Sequence, residues 1–235
     1  MQLKRLQNFI AQYEAHLKKA EADRHLHWWA AQRNFQENWD LAAADLPAMY
    51  DRSLRNPKTK RLWKREGFEP KRVMLSFFEE QSDLVVHAFR DLFNEDREVG
   101  GRIDRFVYYC DELLSLHRKA NPTSIDSNHY HGGDYEMISL YLAFRYPDAY
   151  APYPGDLFRE LLHKLGTADL PDSHDLVRYF KVMRTLQKFL NRSEHLLRAH
   201  EERLDSRIHY TGDSLLLAYD FSRFVCDAAI LPDEK

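Results

Sequence analysis

Two histidines and an aspartate fall close together in the segment Ser127-Asn-His-Tyr-His-Gly-Gly-Asp134. His129 and His131 alternate, and Asp134 follows three positions later at an expected helix start. Two imidazoles and a carboxylate so placed can ligate zinc or another divalent ion, or hold a phosphate against the helix N-terminus beside Gly132-Gly133. The spacing is generic, and a structural reading is preferred. In it Asp134 caps the helix, the glycines permit the turn, and the histidines and Tyr130 pack or hydrogen-bond within the loop. No metal or cofactor is therefore assigned.

A second group is the basic stripe Arg178, Lys181, Arg184, Lys188 and Arg192. At 100° per residue these five lie within an arc of roughly 120° on one helix, with Tyr179, Val182, Met183, Leu186, Phe189 and Leu190 on the opposite side. From His174 to Asn191 only Asp175 is acidic. Such a ridge suits phosphate contacts. It can equally be a wet face neutralised from a neighbouring helix by Glu194, Glu201 and Glu202.

The third group runs from Arg55 to Arg72, with eight Lys and Arg against two Glu. Lys58, Lys60, Arg61, Lys64 and Arg65 surround Trp63, and cations beside an aromatic ring grip a phosphodiester backbone and stack on a base. Alternatively Trp63 anchors a short helix and the charges are its solvated side. The aromatic segment Tyr146-Pro-Asp-Ala-Tyr-Ala-Pro-Tyr153 and the stripe Trp28, Trp29, Phe35, Trp39 read as packing elements rather than ligand cages.

The elements that must position these groups are helical. Between Gln2 and Leu46 there is neither Gly nor Pro, and apolar residues recur at gaps of three, four or seven, which predicts one very long helix or two stacked ones. Further helices are expected at about 47–55, 71–78, 84–93, 103–117, 134–145, 156–165, 173–190, 193–204 and 213–229. Asp172 or Ser173 and Thr211 are the expected caps of two of these. No alternating run with turn spacing occurs, so the fold class is all-α, a multi-helix bundle. Gly100-Gly101 is the expected boundary between an N-terminal helical part, 1–98, and a C-terminal bundle, 99–235, unless the two form one continuous domain.

Composition bounds the partners. The 235 residues carry 34 Lys and Arg against 37 Asp and Glu, a net charge of −3, so a polyanion site must be a local patch. Cys110 and Cys226 lie in apolar runs outside any CxxC, which predicts two buried reduced thiols. No uninterrupted apolar segment suits a signal peptide or membrane span, and the expected location is cytoplasmic. No phosphate loop, GxGxxG, HExxH or GxSxG motif is present.

Four stretches resemble a known family: Asn128-His-Tyr-His131, Asp134 to Tyr150, Asp175 to Leu186, and His209-Tyr-Thr-Gly212. They resemble the helical region preceding the motor in McrB-like AAA+ modification-dependent restriction ATPases. The resemblance is strongest from Gly101 to Val225 and assigns no base-reading residue. It implies a region that recognises DNA or partners, with nucleotide hydrolysis carried elsewhere, since the motor motifs are missing. The expected function is a non-catalytic module binding DNA or another nucleic acid for a restriction or phage-defence system. Its contacts would be the 178–192 stripe and the 58–65 segment. The alternatives are an adaptor docking a separate AAA+ motor or nuclease subunit through the N-terminal helix and the tyrosine-rich corner, and a metal-dependent hydrolase built on His129, His131 and Asp134.

Overall fold

A computed structural model describes residues 1–56, 69–123, 130, 135–171 and 174–228. Among these residues there are ten α-helices, one short 3-10 helix and no strand, and the chain is all-α as its periodicity predicts.

The apolar N-terminal stretch is two stacked helices, not one. Helix α1, Leu3–Leu17, buries Leu6, Phe9, Tyr13 and Leu17, a stripe at gaps of three and four. A 3-10 helix, Ala20–His25, then re-aims the chain into α2, His27–Asn38, which buries Trp28, Trp29, Ala31, Gln32 and Phe35. Helix α3, Leu46–Ser53, opens with Asp45 accepting from Ala48 N at 2.9 Å and with Pro47 in its first turn, where a missing N–H costs nothing.

Pro70 begins α4, Pro70–Leu92. The two helices expected here are both present within this stretch, which breaks between them at Gln81, where the backbone leaves helical geometry at φ −141° and ψ 48°. Gly100-Gly101 do not interrupt the next helix but start it, because α5 spans Val99–Ala120. The Glu98 carboxylate accepts from Gly101 N at 3.2 Å, and a Cβ at Gly100 would meet Glu98 Oε2 at 2.9 Å. Glycine there lets the capping carboxylate close over the first turn.

Helix α6, Glu136–Arg145, is buried on every side from Met137 to Phe144, as a sequence with no charge between its two ends allows. It is entered through Tyr135 at φ 60°. Helices α7, Gly155–Lys164, and α8, Leu176–Leu190, follow, the latter capped by Asp175 rather than by the expected Asp172 or Ser173. Helix α9, Glu194–Glu201, is capped by Ser193. The last helix, α10, Leu216–Asp227, has no bond to Thr211. Ser214, nearer its start, accepts from Leu216 N at 3.1 Å instead.

Helix α4 packs along α5, α2 lies against α3 and α6, and α10 contacts α7 and α8, while α1 crosses α9 and α10. Elements before and after Gly100 share one hydrophobic core. The tryptophan stripe belongs to it: Trp39 stacks on Phe35 at 4.7 Å and meets Phe89 edge-on at 4.9 Å. The tyrosine corner is internal as well. Tyr150 OH accepts from Arg102 Nη2 at 2.5 Å, Tyr146 OH donates to Phe93 O at 2.5 Å, and Tyr153 is buried against Phe158 and Tyr179. At the centre, the phenols of Tyr50, Tyr130 and Tyr141 form a buried chain, with Tyr141 2.6 Å from Tyr50 and 2.5 Å from Tyr130. Cys110 and Cys226 are both buried and unpaired. Among the described residues no helix is long and apolar enough to cross a membrane.

Candidate functional site

The basic stripe sits on α8. Tyr179, Phe180, Met183, Leu186 and Leu190 turn into the core, and this fixes the opposite face outward. The five cations then divide. Arg178 pairs with Asp169, its Nη1 3.0 Å from Oδ2 and its Nη2 2.5 Å from the backbone oxygen. Arg184 donates to Ala149 O at 3.0 Å and is tied to the tyrosine corner. Lys181 and Lys188 are exposed and have no ion-pair partner among the described residues. Arg192, in the turn after the helix, holds its guanidinium 4.7 Å above the Phe189 ring and remains exposed. None of Glu194, Glu201 and Glu202 neutralises the ridge among the described residues. The one carboxylate pairing with it, Asp169, comes from the preceding loop.

Lys181 and Lys188 are seven residues apart, so they differ by about 20° around the helix and about 10 Å along it. Arg192 continues the row. The arrangement offers three solvated cations in line, with Arg178 and Arg184 beside them as anchored charges.

A second polar constellation carries no sequence motif. Asp220 of α10 is buried, and its carboxylate accepts from Tyr13 OH at 2.7 Å, contacts His25 Nδ1 at 2.7 Å and lies 3.5 Å from Arg203 Nη1. Arg203 also donates to Ala22 O at 2.5 Å and Asp23 Oδ1 at 3.2 Å. Burial acts to raise the Asp220 carboxyl. The bonds from His25 and Tyr13 and the charge of Arg203 outweigh it, so the group sits below the usual carboxylate range. Burial and the facing carboxylate push the Tyr13 phenol well up.

Compared against family models, curated proteins and solved structures, the chain matches none. Chemistry must therefore be read from its own side chains.

Near Asp220 the buried His200 packs against Trp29 at 5.1 Å, and its Nδ1 has no hydrogen-bond partner among the described residues. Burial, reinforced by the Arg203 charge, lowers it to about 4. His16 lies between Tyr13 and the Phe224 ring at 4.9 Å, and burial lowers it too, against the pull of Asp220 and with the nearby arginines adding to it. A carboxylate-held imidazole and a buried phenol thus surround one buried ion pair, with His16 and His200 nearby.

Of the other sequence candidates, Lys58, Lys60, Arg61, Trp63, Lys64 and Arg65 lie outside the described residues, as do His129, His131 and Asp134. Tyr130, between the two histidines, is described and buried in the phenol chain. The described residues contain no group of three or more His, Cys, Asp or Glu side chains that could hold a metal ion.

Proposed function

We propose that this chain is a nucleic-acid-binding module whose contact surface is the α8 ridge, acting in a restriction or phage-defence system as its resemblance to McrB-like proteins implies. The observation that carries the reading is the row of Lys181, Lys188 and Arg192. Solvated cations with no acidic partner gain more from a phosphate than cations already paired. The core face behind them holds the row rigid, so little side-chain register is lost on binding. Arg178 and Arg184, bound to Asp169 and Ala149, take a lesser part. The ridge contacts phosphates and reads no base; sequence or modification recognition falls to other residues.

The test is fluorescence anisotropy of the purified chain with duplex DNA, single-stranded DNA and RNA at several salt concentrations. Three phosphate contacts on a duplex give a slope of log affinity against log salt of about −2.7, and on a single strand about −2.1. Replacing Lys181 and Lys188 by alanine removes about 1.8 from the duplex slope and lowers affinity about 60-fold at 0.1 M salt. Absence of binding at low salt, or binding unaffected by the double substitution, rejects the reading.

A further inference from the structure

Arg102 of α5 is a buried charge without a counter-charge. It is 2% exposed, and no carboxylate pairs with it among the described residues. Its Nη1 donates to Leu92 O at 2.9 Å and its Nη2 to Tyr150 OH at 2.5 Å, while its Nε has no partner among those residues. A guanidinium stays charged inside a protein, and a charge taken out of water is ordinarily paired. The carboxylate beside Leu92 is already shared, since Asp91 holds both Arg97, at 3.0 Å, and Arg105, at 2.5 Å.

A second cation reaches the same corner. The Tyr150 ring meets Phe180 of α8 edge-on at 4.9 Å, and Arg184, one turn further along α8, donates from Nη1 to Ala149 O at 3.0 Å. Its Nε and Nη2 have no partner, and no carboxylate pairs with it, among the described residues. Burial raises the Tyr150 phenol, the charges of Arg102 and Arg184 act against that rise, and Glu95 adds to it. Glu95 itself is exposed and bonds none of the three among the described residues.

The Tyr150 hydroxyl has a proton to give. Its oxygen accepts from Arg102, and its own hydrogen goes to no group among the described residues. Accepting from a cation makes the phenol a stronger donor. Tyr150 and the unoccupied side of Arg184 thus offer donors to one anion, and Arg102 stands behind the hydroxyl as a fixed positive charge.

We propose that Tyr150 and Arg184 form a binding site for a phosphate monoester. Two cations without carboxylates match a dianion better than they match the single charge of a phosphodiester. Tyr150 is 7% exposed, so a terminal phosphate with three bare oxygens reaches it where an internal one, carrying a sugar on each side, does not. Arg184 lies between Lys181 and Lys188 in the α8 row. The ligand is therefore the phosphorylated end of a strand lying on that row, an assignment that rests on the nucleic-acid reading above. A free phosphate ester is the other source of the same chemistry.

Fluorescence anisotropy of the full chain tests the site with one internally labelled single strand bearing a 5′-phosphate, a 3′-phosphate or hydroxyls at both ends. A phosphorylated end is expected to gain about 10-fold in affinity, the worth of one hydrogen bond to a charged group. Tyr150→Phe and Arg184→Gln each reduce that preference to about threefold or less. Replacing Lys181 and Lys188 by alanine weakens both kinds of strand and keeps their ratio. Hydroxyl-ended strands that bind as well as phosphorylated ones overturn the proposal and leave the ridge reading intact. A preference that survives both substitutions overturns it too. Should Tyr150→Phe not fold, Arg184→Gln decides. If no strand binds, the ridge reading fails and inorganic phosphate at constant ionic strength judges the site alone. A saturable rise in Tm that Arg184→Gln abolishes then assigns the site to a free phosphate ester, and no rise, or the same rise in both chains, overturns it.

Discussion

Replacing Asp220 by alanine is the most informative perturbation of this fold. The change leaves the buried Tyr13 hydroxyl without its acceptor, and an orphaned buried polar group costs about 1–3 kcal/mol. It also deprives Arg203 of one of two carboxylates. The other, Asp23, is largely exposed and a poor substitute inside the core. Removing one member of a buried ion pair typically costs about 3–5 kcal/mol, and because the two effects overlap we expect a total of about 4–6 kcal/mol. For a chain of this size that lowers Tm by about 10–20 °C. Equilibrium urea unfolding measures it directly, with the midpoint falling and the slope unchanged. Tyr13→Phe provides the internal control. It costs about 1 kcal/mol in the wild-type chain and recovers about 1–3 kcal/mol beside Asp220→Ala, because it removes the hydroxyl that the first change orphaned. A loss below about 1 kcal/mol for Asp220→Ala, or an equal Tyr13→Phe cost in both backgrounds, refutes the reasoning.

Other outcomes follow from the same structure. Tyr141→Phe breaks the link between the Tyr50 and Tyr130 phenols and costs about 1–3 kcal/mol in urea unfolding, without changing the helical signal of the folded chain. Lys164 donates to Cys226 O at 2.5 Å and Ala228 O at 2.6 Å, so Lys164→Met orphans the last carbonyls of α10 and speeds exchange in the amides before Asp227. Burial raises the Cys110 thiol well above its ordinary range and pushes Cys226 up to about 12, so a thiol reagent at pH 8 labels neither residue in the native chain and both after denaturation. The depressed His200 contributes stability that is complete above about pH 6.5 and lost as pH falls toward 4. Between pH 7 and pH 5 the loss is about 2 kcal/mol, absent in His200→Gln.

The helices were legible because their signals are local. Period, Asp45 with Pro47, Pro70 and Ser193 each act within a few residues, and each lies at or next to a helix start. The break at Gln81 was legible too, since the apolar pattern ends at Phe78 and resumes at Leu84, with the interruption between them. The α8 ridge was legible as a row. Which of its cations stay solvated was not, since Asp169 and Ala149 come from loops whose approach no periodicity reports. The Asp220 cluster left no trace, because Tyr13, His25, His200, Arg203 and Asp220 share no spacing and become neighbours only when the first helix crosses the ninth and tenth. The buried Gln32 was similarly opaque: it donates to Ala143 O at 3.0 Å and accepts from Ser214 Oγ at 3.0 Å, partners far along the chain.

The crossing of α1 over α9 and α10 also sets an order in time. Tyr13 waits for a partner 207 residues downstream, and His25 for one 195 residues away. On a ribosome adding about 5–20 residues per second, that delay is about 10–40 s. Throughout it, the stripe of Leu6, Phe9, Tyr13 and Leu17 has no surface to cover it, while α2, α3 and α4 can already be packing behind it. Helix α1 is thus among the last of these elements to find its place, and until then the nascent chain presents an unsheltered apolar stripe to whatever holdase stands at the tunnel exit.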